Sequence, residues 1–191
     1  MVVLSSKALP DLRFNVDEYL QSDLPEGGRY ELVNGEVAMT PTPDGEHDDP
    51  IDALQAVLYE YRKTHPEAVG HISQRASVPI PGEETVREPD LAVYCEWASA
   101  GRGWRVWKEH TPVLVVEVVS PGQASRDYEA KRRDYRLAGI PEYWIIDPQD
   151  RCVTVLVLKD GDWMETVFGP GQTIQSTVLP GLVVAVADVC D

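Results

Sequence analysis

Val113-Leu114-Val115-Val116-Glu117-Val118-Val119 is aliphatic at every position but one. A run so rich in β-branched residues, apolar on both alternating faces, predicts a central strand covered on each side. Glu117 is the exception. A lone carboxylate in such a strand costs several kcal/mol unless it is neutralised, paired or bound to a cation.

Upstream, Leu91-Ala92-Val93-Tyr94 follows Pro89-Asp90 and predicts a second short strand. If the two strands are neighbours, Asp90 lies beside Glu117. Two carboxylates at one point on a sheet repel unless a hard cation bridges them. Mg²⁺ fits that description, with Mn²⁺ as its substitute. Held by one or two carboxylates, it keeps several waters, lowers the pKa of one, and offsets charge growing on a phosphate under attack. Downstream, Ser125 to Ala138 predicts a helix: Ser125 can cap it, Asp127 sits in its first turn and Gly139 follows its end. Lys131 lies about one turn in, where its long stem reaches back toward the strand end to orient a nucleophilic water. Taken singly, Asp90 reads as the end of a strand after Pro89, Lys131 as a solvated helix residue, and Glu117 as half of an ion pair with Arg87 or Lys131. Jointly they point to metal-assisted phosphodiester hydrolysis.

The remaining sequence surrounds this centre with mixed elements. Asn15 caps a short helix over Val16–Leu20. Arg29–Val33 and Glu36–Met39 alternate about Asn34-Gly35, the dipeptide that best marks a tight hairpin. Pro41 to Pro50 reads as a loop. Ile51, Leu54, Val57, Leu58 and Tyr61 recur at helical spacing, so an amphipathic helix runs to about Thr64, before Pro66. His71 to Val78 reads as a strand ended by Pro79, Pro81 and Gly82, with Glu83-Glu84 turning into another. Pro141 starts the strand Glu142-Tyr143-Trp144-Ile145-Ile146-Asp147, where Tyr143 and Trp144 read as packing residues. From Arg151 to Asp188, runs such as Val153 to Leu158 predict antiparallel strands at one edge.

At 191 residues the chain fits one domain, with residues 1–27 a peripheral N-terminal segment. No apolar run reaches the roughly 18–20 residues of a membrane span, and the N-terminus lacks a leader pattern, so a cytoplasmic protein is expected. Cys95, Cys152 and Cys190 are odd in number and widely spaced. They read as reduced thiols, two of them in strands. The formal net charge of -15 argues against tight, sequence-independent DNA binding. It suits a nuclease only if carboxylates gather at a metal and cations cluster locally, as in Lys131-Arg132-Arg133 with Arg126 and Arg136 nearby. His65, His71 and His110 have no ligand spacing.

Pro89-Asp90 resembles the first part of the PD-(D/E)XK nuclease motif, while Glu117-Val118-Val119 has Val where that motif has Lys. The wider context resembles the Uma endonuclease family, long filed as a domain of unknown function. The resemblance runs from about Tyr30 to Gly181. It rests on Tyr30-Glu31-Leu32-Val33-Asn34-Gly35-Glu36, His47, Arg87-Glu88-Pro89-Asp90-Leu91, Val115 to Pro121, Arg126 to Lys131, and Gly139 to Asp147. It implies a restriction-endonuclease-like α/β fold, a mixed β-sheet flanked by helices with additional antiparallel strands, and an active site at one end of the central strands. It also implies that the helix after the Glu strand supplies the lysine, which assigns that role to Lys131. Glu31 would then help hold or order the metal, unless it pairs across the hairpin, and His47 would line the same mouth as an accessory residue.

The leading expectation is therefore a Mg²⁺-dependent endonuclease acting on DNA. Cutting two strands favours paired sites and hence a homodimer. The alternatives are a catalytically inactive binding or regulatory module of the same fold, and a hydrolase of small phosphodiesters, which an acidic surface handicaps less.

Overall fold

The computed structural model describes residues 13–25, 28–40, 45–97, 105–120 and 125–190. The aliphatic run forms β7 (Leu114–Val118), buried at every position, inside a six-stranded mixed sheet. On one side β7 pairs antiparallel with β6 (Leu91–Tyr94), which pairs in turn with β3 (His71–Ser73). On the other it pairs in parallel with β8 (Glu142–Asp147), followed by the antiparallel β9 (Cys152–Lys159) and β10 (Asp162–Phe168) at the sheet edge. Parallel neighbours require a crossover, which α4 (Ser125–Leu137) supplies.

Both faces of this sheet are covered, which is why β7 has no polar face. Leu114, Val116 and Val118 pack with Leu54 and Leu58 of α2 (Gly45–Thr64). Val115, Tyr143 and Ile145 pack on the other side with Tyr135 and Ile140, at the end of α4. By strand alternation Glu117 shares the α4 side with Val115. The helix is stopped by Gly139 at φ 70°: the Gly139 N–H donates to the Arg136 carbonyl and the Ile140 N–H to Tyr135, the two bonds of a Schellman cap.

A second, four-stranded antiparallel sheet has the order β2 (Glu36–Thr40), β1 (Arg29–Val33), β5 (Val86–Arg87), β4 (Val78–Pro79). Asn34 and Gly35 make the β1–β2 turn with φ of 52° and 82°, as a type I′ hairpin requires. Tyr30, Leu32 and Val86 face Tyr19 of α1 (Val16–Leu20), whose start carries a capping box between Asn15 and Glu18. The opposite face turns Glu31 and Arg87 toward α4. The short α3 (Arg105–Glu109), the pair β11 (Thr173–Gln175) and β12 (Val183–Ala185), and α5 (Ala187–Cys190) complete the described elements.

Four local expectations need correction. Residues 45–50 are helical rather than loop. Pro50 sits inside α2 and is buried, so its packing outweighs the hydrogen bond that its missing N–H forfeits. Residues 71–78 do not form one strand: the Ser73 hydroxyl accepts from the Arg75 N–H, a side-chain turn after which the chain leaves one sheet for the other. Pro79 belongs to β4 rather than ending it. All three cysteines are free thiols, but only Cys152 lies in a strand; Cys190 is helical and Cys95 follows β6. Among the described residues, no helix is long and apolar enough to cross a membrane.

Candidate active site

The antiparallel register pairs Leu91 with Val116, so Asp90 stands one step on, opposite Glu117. The Asp90 carboxylate is fixed there, because its Oδ2 accepts a hydrogen bond from the Val118 N–H at 2.8 Å. Lys131 comes from α4, and its Nζ donates to Glu117 Oε2 at 2.9 Å. The three residues expected to act together thus meet at one end of β6 and β7, and all three are buried.

The other sheet closes the site. Leu32 pairs with Val86, so Glu31 and Arg87 are cross-strand neighbours one step away. Arg87 Nη1 donates to Glu31 Oε2 at 2.7 Å, while its Nε donates to Asp134 Oδ2 at 2.9 Å. Glu31 Oε1 accepts from the Glu88 N–H at 3.2 Å and lies 3.9 Å from Lys131 Nζ. Across the hairpin Glu31 stands opposite Ala38, and its carboxylate turns instead to Arg87 and Lys131, holding the cations around Glu117 from the opposite sheet. Of the two partners considered for Glu117, Lys131 forms the pair, while Arg87 is engaged by Glu31 and Asp134.

Sequence reasoning missed four participants. Asp134 and Tyr135 stand three and four residues after Lys131, the spacing that shares a helix face. The Tyr135 hydroxyl donates to Glu117 Oε1 at 2.6 Å. Arg29 stands two residues before Glu31, on the same strand face. Its Nη1 donates to Asp90 Oδ1 at 2.5 Å and its Nη2 to the carbonyls of Glu88 and Pro89. Glu88 completes the group, accepting from the Tyr19 hydroxyl at 3.4 Å.

His47 lies within α2, not before it, and its side chain is outside the described residues. The basic run of α4 fans out rather than forming a patch. Arg132 pairs with Glu165, Arg133 with Glu83 and Asp134, and Arg136 with Asp162. The Arg126 side chain also falls outside the described residues.

Burial raises the Glu117 carboxyl to about 7; Lys131 opposes the shift, Asp90 and Glu31 add to it, and the Tyr135 hydrogen bond works against it. Glu88 is likewise pushed up to about 7, first by burial, with Arg29 opposing and Glu31 adding. Burial works against the charge on Arg29, but Asp90 outweighs it and the guanidinium is held more firmly protonated. At the heart of the site the carboxylates of Asp90, Glu117, Glu31 and Asp134 face the three cations of Arg29, Arg87 and Lys131.

Two opposed hard-oxygen carboxylates match the donor set magnesium takes from protein, which is one or two carboxylates with water and substrate phosphate completing the shell. Among the described residues no group of three His, Cys, Asp or Glu side chains is arranged to hold a metal by itself. The residues present fit an ion that depends on water and phosphate for its remaining ligands.

Residues 16–187 match the family model described as "Uma2: Putative restriction endonuclease". A solved structure, described as "a putative nuclease belonging to DUF820" from Anabaena variabilis ATCC 29413, superposes with a TM-score of 0.73 at 17% identity, covering 93% of this chain and 97% of that one. At that identity the likeness shows a shared fold. No curated protein matches the chain.

Proposed function

The chain belongs to the Uma2 family, and from that premise we propose that it is a divalent-cation-dependent endonuclease hydrolysing phosphodiester bonds in DNA. The observation that carries the reading is the meeting of Asp90 and Glu117 on opposed strands with Lys131 Nζ 2.9 Å from Glu117. Asp90 and Glu117 would hold Mg²⁺, or Mn²⁺ in its place. The ion supplies a water of lowered pKa and offsets charge on the phosphate.

The chain's own residues do the rest. The Val118 N–H fixes the rotation of the Asp90 carboxylate. Tyr135 and Lys131 bind separate oxygens of Glu117, setting its plane and opposing the burial that raises its carboxyl. Lys131, tethered between Glu117 and Glu31, presents an ammonium that can orient an attacking water or neutralise the non-bridging oxygens. Glu31 acts through Lys131 and Arg87 rather than as a direct ligand. A homodimer carrying two such sites would cut both strands.

Supercoiled plasmid tests this directly: nicking with Mg²⁺ or Mn²⁺ is expected from the wild type and its loss from Asp90→Ala and from Glu117→Ala. Unchanged nicking by both variants would reject the assignment.

One observation favours a second reading, a non-catalytic binding module. Asp90 and Glu117 are each neutralised by a side-chain cation, Arg29 and Lys131, so the fold closes its charges without a metal. Titration calorimetry that detects no divalent-cation binding by the wild type would select this module over the nuclease.

A further inference from the structure

Beside Asp90 a cavity of about 510 Å³ is lined by Leu24, Pro25, Gly28, Arg29, Arg75 and Glu88. It shares Arg29 with the catalytic group, since the guanidinium in its wall is the one that donates to Asp90. Its volume falls in the range of roughly 300–1,000 Å³ usual for small-ligand sites. In a chain of net charge -15, the wall of this cavity brings two guanidinium groups, Arg29 and Arg75, beside one carboxylate, Glu88.

The wall is chemically mixed. Arg29 is committed to Asp90 and to two main-chain carbonyls, so an incoming anion falls to Arg75, which is exposed and follows the side-chain turn at Ser73. In its ionised form Glu88 supplies acceptors only, and so suits an amino group rather than a phosphate. Leu24 and Pro25 offer apolar surface. Gly28 keeps its stretch of wall bare, because a Cβ there would stand 2.6 Å from the Tyr30 ring. A cation, an acceptor and apolar surface within one cavity match a nucleotide: its phosphate, the amino edge of its base and the faces of the ring.

Deepening the nuclease reading and resting on it, we propose that this cavity seats the nucleotide adjoining the scissile phosphodiester, with Arg75 binding a phosphate and Glu88 accepting from the base amino group. Cytosine is the base favoured, because its N4 amino group is the usual donor to a protein carboxylate.

The test measures affinity of the full chain for oligo-dC and oligo-dT of equal length by fluorescence anisotropy across a salt series, with EDTA preventing cleavage. Arg75→Ala is expected to weaken both about tenfold and to lower the slope of log affinity against log salt by about one, the signature of one lost phosphate contact. Glu88→Ala should abolish a preference of the wild type for oligo-dC. Lys159→Ala, exposed at the far end of β9, should change neither. An unaltered salt slope in Arg75→Ala, with wild-type plasmid nicking intact, overturns the subsite and leaves the nuclease standing. A wild type that neither binds nor nicks DNA overturns both. Should Glu88→Ala lose its fold, Arg75→Ala, at an exposed position, still decides.

Discussion

Arg29 Nη1 donates to Asp90 Oδ1 at 2.5 Å, and the Arg29 side chain is only 21% exposed. A guanidinium thus stands at the carboxylate on which a divalent ion would sit, and any such ion has to compete with it. Arg29→Ala should lower stability in EDTA by about 2 kcal/mol, less than the roughly 3–5 kcal/mol of a fully buried pair. Added Mg²⁺ should then raise its Tm further than it raises that of the wild type, by mass action on a carboxylate relieved of the Arg29 guanidinium. Calorimetric melts in EDTA and Mg²⁺ check this; equal Mg²⁺ shifts in the two proteins would contradict it.

Lys131 and Glu117 form a buried pair whose members each strand the other when removed. Lys131→Met and Glu117→Gln should each cost about 3–5 kcal/mol or somewhat less, since Glu117 can take up a proton. Together they should cost less than their sum, with a coupling of about 1–3 kcal/mol read from a double-mutant cycle in urea. Strict additivity would mean that the pair is not formed.

For metal-free protein the sign of the pH dependence follows from Glu117. Its carboxyl is raised from an ordinary 4.5 to about 7, so the folded state binds this proton more tightly than the unfolded one. The stability contributed by that proton is complete below about 4.5 and is lost as pH climbs through about 7. Urea unfolding between pH 5 and 8 in EDTA should show this loss in the wild type, and Glu117→Gln should keep only the part contributed by Glu88, whose carboxyl is also raised to about 7.

Tyr135 donates to Glu117 at 2.6 Å. Because the bond favours the ionised form, Tyr135→Phe should move the Glu117 titration upward and shift the alkaline rise of the nicking rate to higher pH. The stability cost should be about 1–3 kcal/mol, as for a hydrogen bond to a charged group. A pH profile superimposable on that of the wild type would limit Tyr135 to packing.

The central strand, the crossover helix and the hairpin were legible because each carries a local signal: a β-branched run, a helical stretch closed by Gly139, and Asn34-Gly35. Asp90, Glu117 and Lys131 could be paired from sequence because a buried carboxylate demands company. Arg29, Arg87 and Asp134 were not recovered in their observed pairings, since these depend on how the four-stranded sheet lies against α4, a relationship no local pattern encodes. The break after Ser73 was missed for a similar reason. One serine hydroxyl makes the turn that sends the two halves of an alternating run into different sheets.

Diffraction from crystals soaked in Mn²⁺, recorded at the manganese absorption edge, tests the two-carboxylate site most directly. The result expected is one anomalous peak between Asp90 and Glu117, with both carboxylates in its coordination sphere and the Arg29 guanidinium displaced from Asp90. Crystals equally exposed to Mn²⁺ that show no peak there, with the Arg29–Asp90 and Lys131–Glu117 pairs intact, would contradict it.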